Sequence, residues 1–284
     1  MFRTFEPHSK LKDLILFYFE LDWKKTASDD VINFLSLPTG CSFMGFQKKG
    51  RMKVKIDDLV YNTESNYVNA QTTIPYRMCS SDTHLNVLVA CMKPTALYHL
   101  FQIDVAKIVN TGANPKHLFS DGLSEFSLKY NKEENTVEAR IDLLDAIFIK
   151  QLLNVTPAFN FIDIAIDLIM KKKGKLSVDD LIHKLNVSKR YFQKKFKEMI
   201  GISPLLYLKI IRYNFIFSSF KEKGAQYNSS SALLYFYDSA HYSKSFKEYL
   251  GMSPSDFDTT QYPFVQLTNI EQAVWINAFQ ALSS

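Results

Sequence analysis

The chain has 284 residues, 46% of them hydrophobic, and a net charge of +5, enough for two domains of ordinary size. No apolar run reaches the roughly 18 residues of a membrane-spanning helix, and the acidic and polar residues near the start argue against a secretory leader. Cys41, Cys79 and Cys91 are odd in number and far apart, which suits a reducing cytoplasm better than a disulfide framework.

Taken in order, residues 11–20 are apolar and aromatic and fit a helix or a strand equally well. Beyond a polar loop at 24–30, strands are expected at 31–37, 42–46, 52–56, 67–70 and 85–91, each short and rich in Val, Ile, Phe or Tyr. Met52-Lys53-Val54-Lys55-Ile56 alternates strictly, as a half-buried strand does. Several strands at this spacing suggest a barrel or sandwich.

Helices take over from Pro94-Thr95, which opens a short one ending near Phe101. Residues 137–153 place Val137, Ile141, Leu144, Phe148 and Leu152 at helical spacing, with Glu138, Arg140 and Asp142 expected outside. Thr156-Pro157 breaks that helix, and a second follows at 161–170 before Lys171-Lys172-Lys173-Gly174. The pair reads equally as a dimerisation element or a packed linker. Ser177 then caps a short helix with Leu181, Ile182 and Leu185 inward, and Asn186-Val187-Ser188 makes a turn, asparagine tolerating positive φ.

The next stretch occurs twice. Residues 188–207, SKRYFQKKFKEMIGISPLLY, return at 238–257 as DSAHYSKSFKEYLGMSPSDF, and Lys194, Phe196, Lys197, Glu198, Gly201, Ser203 and Pro204 recur in register. In the first copy Phe192, Phe196 and Met199 or Ile200 form one apolar helical stripe, and Gly201 stops the helix. Ser203-Pro204 starts another, greasy on most sides over 205–220, against which both units must pack. A short helix, a tight turn and a second helix bearing exposed Lys, Arg and Gln is the plan of a helix-turn-helix.

At these residues the chain resembles the DNA-binding domain of the AraC/XylS family of bacterial transcription regulators, over roughly 176–257. A weaker resemblance to the sensor domains fused to these regulators rests on Phe5-Glu6-Pro7, Leu37-Pro38-Thr39-Gly40 and Met92-Lys93-Pro94-Thr95-Ala96-Leu97. The fold implied is α+β: a strand-rich, cupin-like N-terminal domain with short helices, then an all-α domain with two helix-turn-helix motifs joined by a long helix. The boundaries implied are a sensor or regulatory domain at 1–155, a linker helix at 156–175, the DNA-binding domain at 176–260 and a tail at 261–284. The expected partners are double-stranded DNA, a small-molecule effector at the N-terminal domain, a second copy of the chain, and RNA polymerase in an activator; no cofactor is implied.

Matching the family's recognition helices residue by residue turns Lys189, Arg190, Gln193 and Lys194 toward DNA in the first motif, and Ser239, Ala240, His241, Ser243 and Lys244 in the second, with Lys197 and Lys247 adding charge around those helices for phosphates. Arginine and glutamine discriminate bases bidentately; serine and alanine do so weakly, so the first motif is expected to carry most base readout. Tyr235 stands where the family usually has a turn glycine, and Ser229-Ser230-Ser231 replace the usual apolar anchors, unless Ala232, Leu233 and Leu234 take that role one register along. Charge agrees with a DNA-facing C-terminal half: residues 171–260 hold 16 Lys and Arg against 8 Asp and Glu, and the rest 18 against 21.

The sequence has no phosphate-binding glycine loop, and His84, His99, His117, His183 and His241 lack metal-ligand spacing. Cys79, near Arg77 and His84, could be a thiolate nucleophile or a plain strand cysteine. Besides a regulator, two other readings stand: a DNA-linked repair-type enzyme, which some AraC-like domains are fused to, and an interaction protein with a decayed second motif.

Overall fold

The computed structural model describes residues 2–25, 32–56, 58–119, 123–222, 236 and 238–257. Its strands are β1 (Phe2–Phe5), β2 (Ile15–Lys24), β3 (Ile32–Ser36), β4 (Ser42–Lys49), β5 (Lys53–Ile56), β6 (Leu59–Asn62), β7 (Asn66–Asn69), β8 (Tyr76–Ser80) and β9 (His84–Met92). They form a five-stranded sheet in the order β1-β2-β9-β4-β7 and a four-stranded sheet in the order β3-β8-β5-β6, with every named pairing antiparallel. The strand-rich N-terminal half is therefore as expected, and the ambiguous residues 11–20 resolve into a short 3₁₀ turn, Ser9–Leu11, followed by β2.

That ambiguity has a physical cause. The central strands β2 and β9 are buried on both faces, so they read as continuous apolar runs rather than alternating ones. On one face Tyr18, Met44, Phe46, Leu88 and Ala90 pack beneath helices α1 (Ala96–Phe101), α2 (Ser124–Tyr130) and α3 (Val137–Leu153). On the other, Leu21, Leu85, Val87 and Val89 cluster with Met52 and Met78. Strands β1, β6 and β8 and helix α2 escape the sequence reading because they are short and only partly buried. The half-buried strand expected at 52–56 is present as β5, whose four residues are all half-buried.

One residue of α3 departs from expectation. Arg140, placed outside by helical periodicity, is buried, because its guanidinium crosses to Glu20 on β2. Asn86 Nδ2 donates to Glu20 Oε1 at 2.9 Å, Arg3 Nη2 to Glu20 Oε2 at 2.6 Å, and Arg140 Nη1 to Asn86 Oδ1 at 2.8 Å. Burial alone would raise the Glu20 pKa, but the bonds from Asn86, Arg3 and Arg140 outweigh it and hold the carboxyl below its ordinary value.

The C-terminal half is all helix among its described residues: α4 (Phe161–Lys171), α5 (Val178–Leu185), α6 (Lys189–Ile200), α7 (Pro204–Glu222) and α8 (Ser239–Leu250). Ile162, Ala165, Ile166, Ile169 and Met170 of α4 lie in the same buried cluster as Phe192 and Phe196 of α6 and Tyr207 and Ile211 of α7. Asn160 and Asp163 close a capping box at the start of α4. The second Ser-Pro does not restart a helix within the described residues; Ser253 Oγ instead hydrogen-bonds Asp256 Oδ2 at 2.5 Å in a turn. The expectations for residues 229–235 and for the 261–284 tail lie outside the described residues.

Removing Arg140 as Arg140→Ala leaves Glu20 buried and under-compensated, with an expected loss of about 3–5 kcal/mol in urea unfolding. Because the folded Glu20 pKa is lowered, the stability from this pairing is complete above the unfolded carboxyl value and disappears as pH falls through the folded one; acid titration of the native and Arg140→Ala chains checks this. A C-terminal fragment that starts at Thr156 retains α4 and its cap and should unfold cooperatively. One that starts at Lys171 loses five buried side chains of the shared cluster and should show a broad, weak transition by circular dichroism.

Candidate nucleic-acid interface

The first unit is α5, a turn and α6. Ser177 Oγ accepts from Asp180 N at 3.0 Å, while Ser177 N donates to Asp180 Oδ2 at 2.9 Å, a reciprocal cap. Asn186 ends α5 in the left-handed region at φ 52°, and Ser188 accepts from Tyr191 N to start α6. Phe192, Phe196, Met199 and Ile200 turn inward, which leaves Lys189, Arg190, Gln193, Lys194 and Lys197 exposed on the outer faces. Lys189 Nζ lies 3.0 Å from Asp179 Oδ1, an exposed pair that ties the two helices loosely.

The second unit presents α8 in the same way. Asp238 accepts from His241 N at 2.7 Å, Gly251 ends the helix at φ 77°, and Tyr242, Phe246, Tyr249 and Leu250 are buried. Ser239, Ala240, His241, Ser243, Lys244 and Lys247 are all exposed. The His241 ring stands edge-on to Phe236, 5.5 Å between centroids.

Helix α7 holds the two units together. Phe196 of α6 meets Tyr207 edge-on at 5.7 Å. Tyr213 stacks on Tyr249 of α8 at 4.4 Å and 8°, and Phe217 contacts Phe246 and Phe257. With α7 flanked on both sides, α6 and α8 are held in one spatial relation, as the paired insertion of two recognition helices requires.

The N-terminal domain reaches this pair along two seams that sequence reasoning did not find. In the first, the 3₁₀ helix Val105–Ile108 and Val109 abut the end of α6. Gly201 has φ 96°, and a β-carbon there would stand 2.5 Å from Val109 Cγ2 and 3.2 Å from Val105 O. Lys195 Nζ donates to Tyr98 Oη at 2.6 Å, lies 4.5 Å from that ring's centroid and pairs with Glu198 at 2.8 Å. Burial would lower the Lys195 pKa; the bonds to Glu198 and Tyr98 outweigh it. Beside this seam a cleft of about 810 Å³ is lined by Lys194 and Lys197 on one side and Gln102 and Asp104 on the other. Two of the expected DNA-facing lysines therefore border the N-terminal domain, whereas Lys189, Arg190 and Gln193 lie outside this cleft.

In the second seam the 37–40 loop lies against α7 and α8. Asn214 Nδ2 donates to Thr39 O at 2.6 Å and Tyr249 Oη to Pro38 O at 3.3 Å. Gly40, at φ 83°, has Ile211 Cδ1 only 2.7 Å from where a β-carbon would sit. The sequence signal was present as Leu37-Pro38-Thr39-Gly40, but its partner lies more than a hundred residues away and carries no local mark.

Among the described residues, no group of three or more His, Cys, Asp or Glu side chains gathers as metal ligands would. Nor is any single helix among them long and apolar enough to cross a membrane.

Residues 181–260 match a family described as a helix-turn-helix domain, and residues 3–114 match a domain of unknown function (DUF6597). No curated protein matches the chain. Among solved structures it is similar to ToxT from Vibrio cholerae, at 18% identity and a TM-score of 0.45, over 87% of this chain and 97% of that one. A structure of unsaturated fatty acid bound wild-type ToxT from Vibrio cholerae strain SCE256 is similar at 16% identity and a TM-score of 0.42, over 84% and 92% of the two chains. The AraC-like transcriptional activator CuxR is similar at 16% identity and a TM-score of 0.27, over 78% and 86%.

The two helix-ending glycines separate seam from strain. A left-handed alanine costs roughly 1–2 kcal/mol at either position, but only Gly201→Ala also meets Val109, since among the described residues nothing lies within 4 Å of a β-carbon at Gly251. Gly201→Ala should therefore lower the melting temperature more than Gly251→Ala, and trimming the neighbour in Gly201→Ala/Val109→Ala should recover part of that extra loss relative to Val109→Ala alone.

Proposed function

We propose that this chain is a DNA-binding transcription regulator of the AraC type, and that it takes most of its base preference from α6 and holds its register on the duplex with α8. The observation that carries this reading is the contrast between two equivalent exposed faces. The face of α6 bears Arg190 and Gln193, whose side chains can bond guanine and adenine edges bidentately, flanked by Lys189, Lys194 and Lys197. The face of α8 offers Ser239, Ala240, His241 and Ser243, with Lys244 and Lys247 for phosphates. Recognition helices use their N-terminal residues on base edges, and Lys189, Arg190 and Gln193 occupy the N-terminal half of α6, away from the seam at Gly201.

The division of labour then follows. Residues 176–260, with α4 completing their core, read DNA. The N-terminal domain to residue 155 senses an effector or pairs with a second copy and sets the regulatory state through the two seams. RNA polymerase is a partner where the chain activates. No catalytic role is assigned: Cys79 sits half-buried in β8, paired in register with Lys53 and Asn33, as an ordinary strand residue does.

Gel shifts on fragments from the gene's own upstream region test the assignment. Arg190→Ala or Gln193→Ala should each cost roughly 1–3 kcal/mol and relax preference at individual bases. Lys244→Ala should weaken binding evenly across sequences and flatten the log–log salt slope by about 0.9, the share of one phosphate. Equal base-specific losses at Ser239, His241 and Lys244 would instead make the two helices equal readers.

A further inference from the structure

Leu59, Val60 and Tyr61 of β6 are 63%, 56% and 50% exposed, three large apolar side chains in succession on one strand. That strand is an edge of the four-stranded sheet, and among the described residues it pairs with β5 alone. Edge strands are ordinarily guarded by a lysine, a proline, a bulge or a covering segment. The five-stranded sheet has such a cover on its β7 edge, where Val68 N donates to Ala113 O and Ala113 N to Val68 O, each at 2.8 Å. Leu59-Val60-Tyr61-Asn62 carries no lysine or proline, and its register with β5 runs without a bulge.

The backbone of β6 has a definite phase. Thr63 N donates to Met52 O at 3.1 Å, which continues the ladder in which Asn62 stands opposite Lys53. Bonded and non-bonded pairs alternate along an antiparallel ladder, so Leu59 and Tyr61 bond to β5 while Val60 and Asn62 turn their main-chain groups outward. A second β6, laid antiparallel about a two-fold axis at Val60, lets Val60 of the two copies exchange both hydrogen bonds. Leu59 of each copy then stands opposite Tyr61 of the other, an aromatic–aliphatic pair on the opposite face from Val60.

Charge selects this register over its neighbours. With the axis at Tyr61, Asp58 would stand opposite Glu64 of the partner, and like charges so placed repel. With the axis at Leu59, apolar Val60 would stand opposite Asp58. With the axis at Val60, Asp58, which lies 4.0 Å from Lys55 of its own chain, comes opposite Asn62 of the partner. Lys53 flanks that asparagine on β5, so a cation of one copy shares the row with a carboxylate of the other.

We infer that β6 pairs with β6 of a second copy about the axis at Val60, joining two four-stranded sheets into one continuous sheet. This pairing rests on the reading that the N-terminal domain meets a second copy, and supplies its surface. A four-residue strand covers well under the roughly 800 Å² per partner of a standard stable interface, so the dimer is reversible and of micromolar strength or weaker.

Sedimentation velocity of the full chain without DNA, from low to high micromolar concentration, should show a monomer–dimer equilibrium. Val60→Lys should weaken the dimer about tenfold or more, as a guarding lysine does. Val60→Pro removes only an outward N–H, leaves the β5 ladder whole and should act alike; unchanged circular dichroism confirms that each variant folds. Leu128→Lys, at a 75% exposed position on α2, should leave the dimer intact. Mixed Leu59→Cys and Tyr61→Cys chains, oxidised with diamide, should cross-link to each other faster than either does to itself. A dimer unmoved by both Val60 variants, or broken as readily by Leu128→Lys, overturns the β6 surface and leaves the pairing of N-terminal domains standing. A chain that stays monomeric at every concentration overturns both. Slow amide exchange at Val60 in such a monomer would put a segment of the same chain on the strand, which likewise overturns the pairing.

Discussion

Helix α7 can give very little of itself to solvent, and the arrangement of the C-terminal half follows from that. Of its residues from Pro204 to Phe217, only Leu205 is exposed, and Tyr207, Ile210, Ile211, Tyr213, Asn214 and Ile216 are fully buried. A helix this apolar must be covered on nearly every side. The α5–α6 unit covers one flank through Phe196, α8 another through Tyr249 and Phe246, and the 37–40 loop a third. The stack of Tyr213 on Tyr249 resists sliding between the two units, since ring pairs keep their offset and tilt at little tolerance.

Covering α7 with a loop from the other domain makes the two halves mechanically continuous. Hydrogen bonds from Asn214 and Tyr249 satisfy main-chain carbonyls of that loop that would otherwise be buried without partners. At the far end of the pair, the absence of a side chain at Gly201 lets Val105 and Val109 approach α6 directly. Lys195, sitting between Tyr98 and Glu198, gives that seam a polar component whose geometry is specific. Packed interfaces of this kind favour discrete arrangements over continuous ones.

The N-terminal sheet faces a related problem, since both faces of its central strands are covered. The Glu20–Arg140–Asn86 group under α3, like the bonds from Tyr18 to Asp145 and from Tyr130 to the Phe46 carbonyl, adds polar contacts to a largely apolar interface with the helices. Glu20 is bonded at once by Arg3, Asn86 and Arg140, and a shifted α3 would leave this buried carboxylate under-compensated, which fixes where the helix docks on β2.

The local sequence determined a great deal in the C-terminal half. The doubled motif, the Ser177 and Ser188 caps, the left-handed Asn186, the Gly201 stop and the apolar stripe of α6 all lie within a few residues of what they control. Periodicity and capping act over one or two turns of chain, so the helix-turn-helix units and their outward-facing lysines, Arg190 and Gln193 are legible without a fold. Tertiary structure alone decided the rest. It turned Arg140 inward to meet a carboxylate on another element, and it made a strand of residues that could equally have been helix. It also brought Leu37-Pro38-Thr39-Gly40 against α7 and α8, and set the buried Gln71 behind that loop, donating to Gly40 O. Those contacts join residues far apart in the chain, and nothing in either partner's local pattern names the other, because burial and hydrogen bonding reward proximity in space whatever the separation along the sequence.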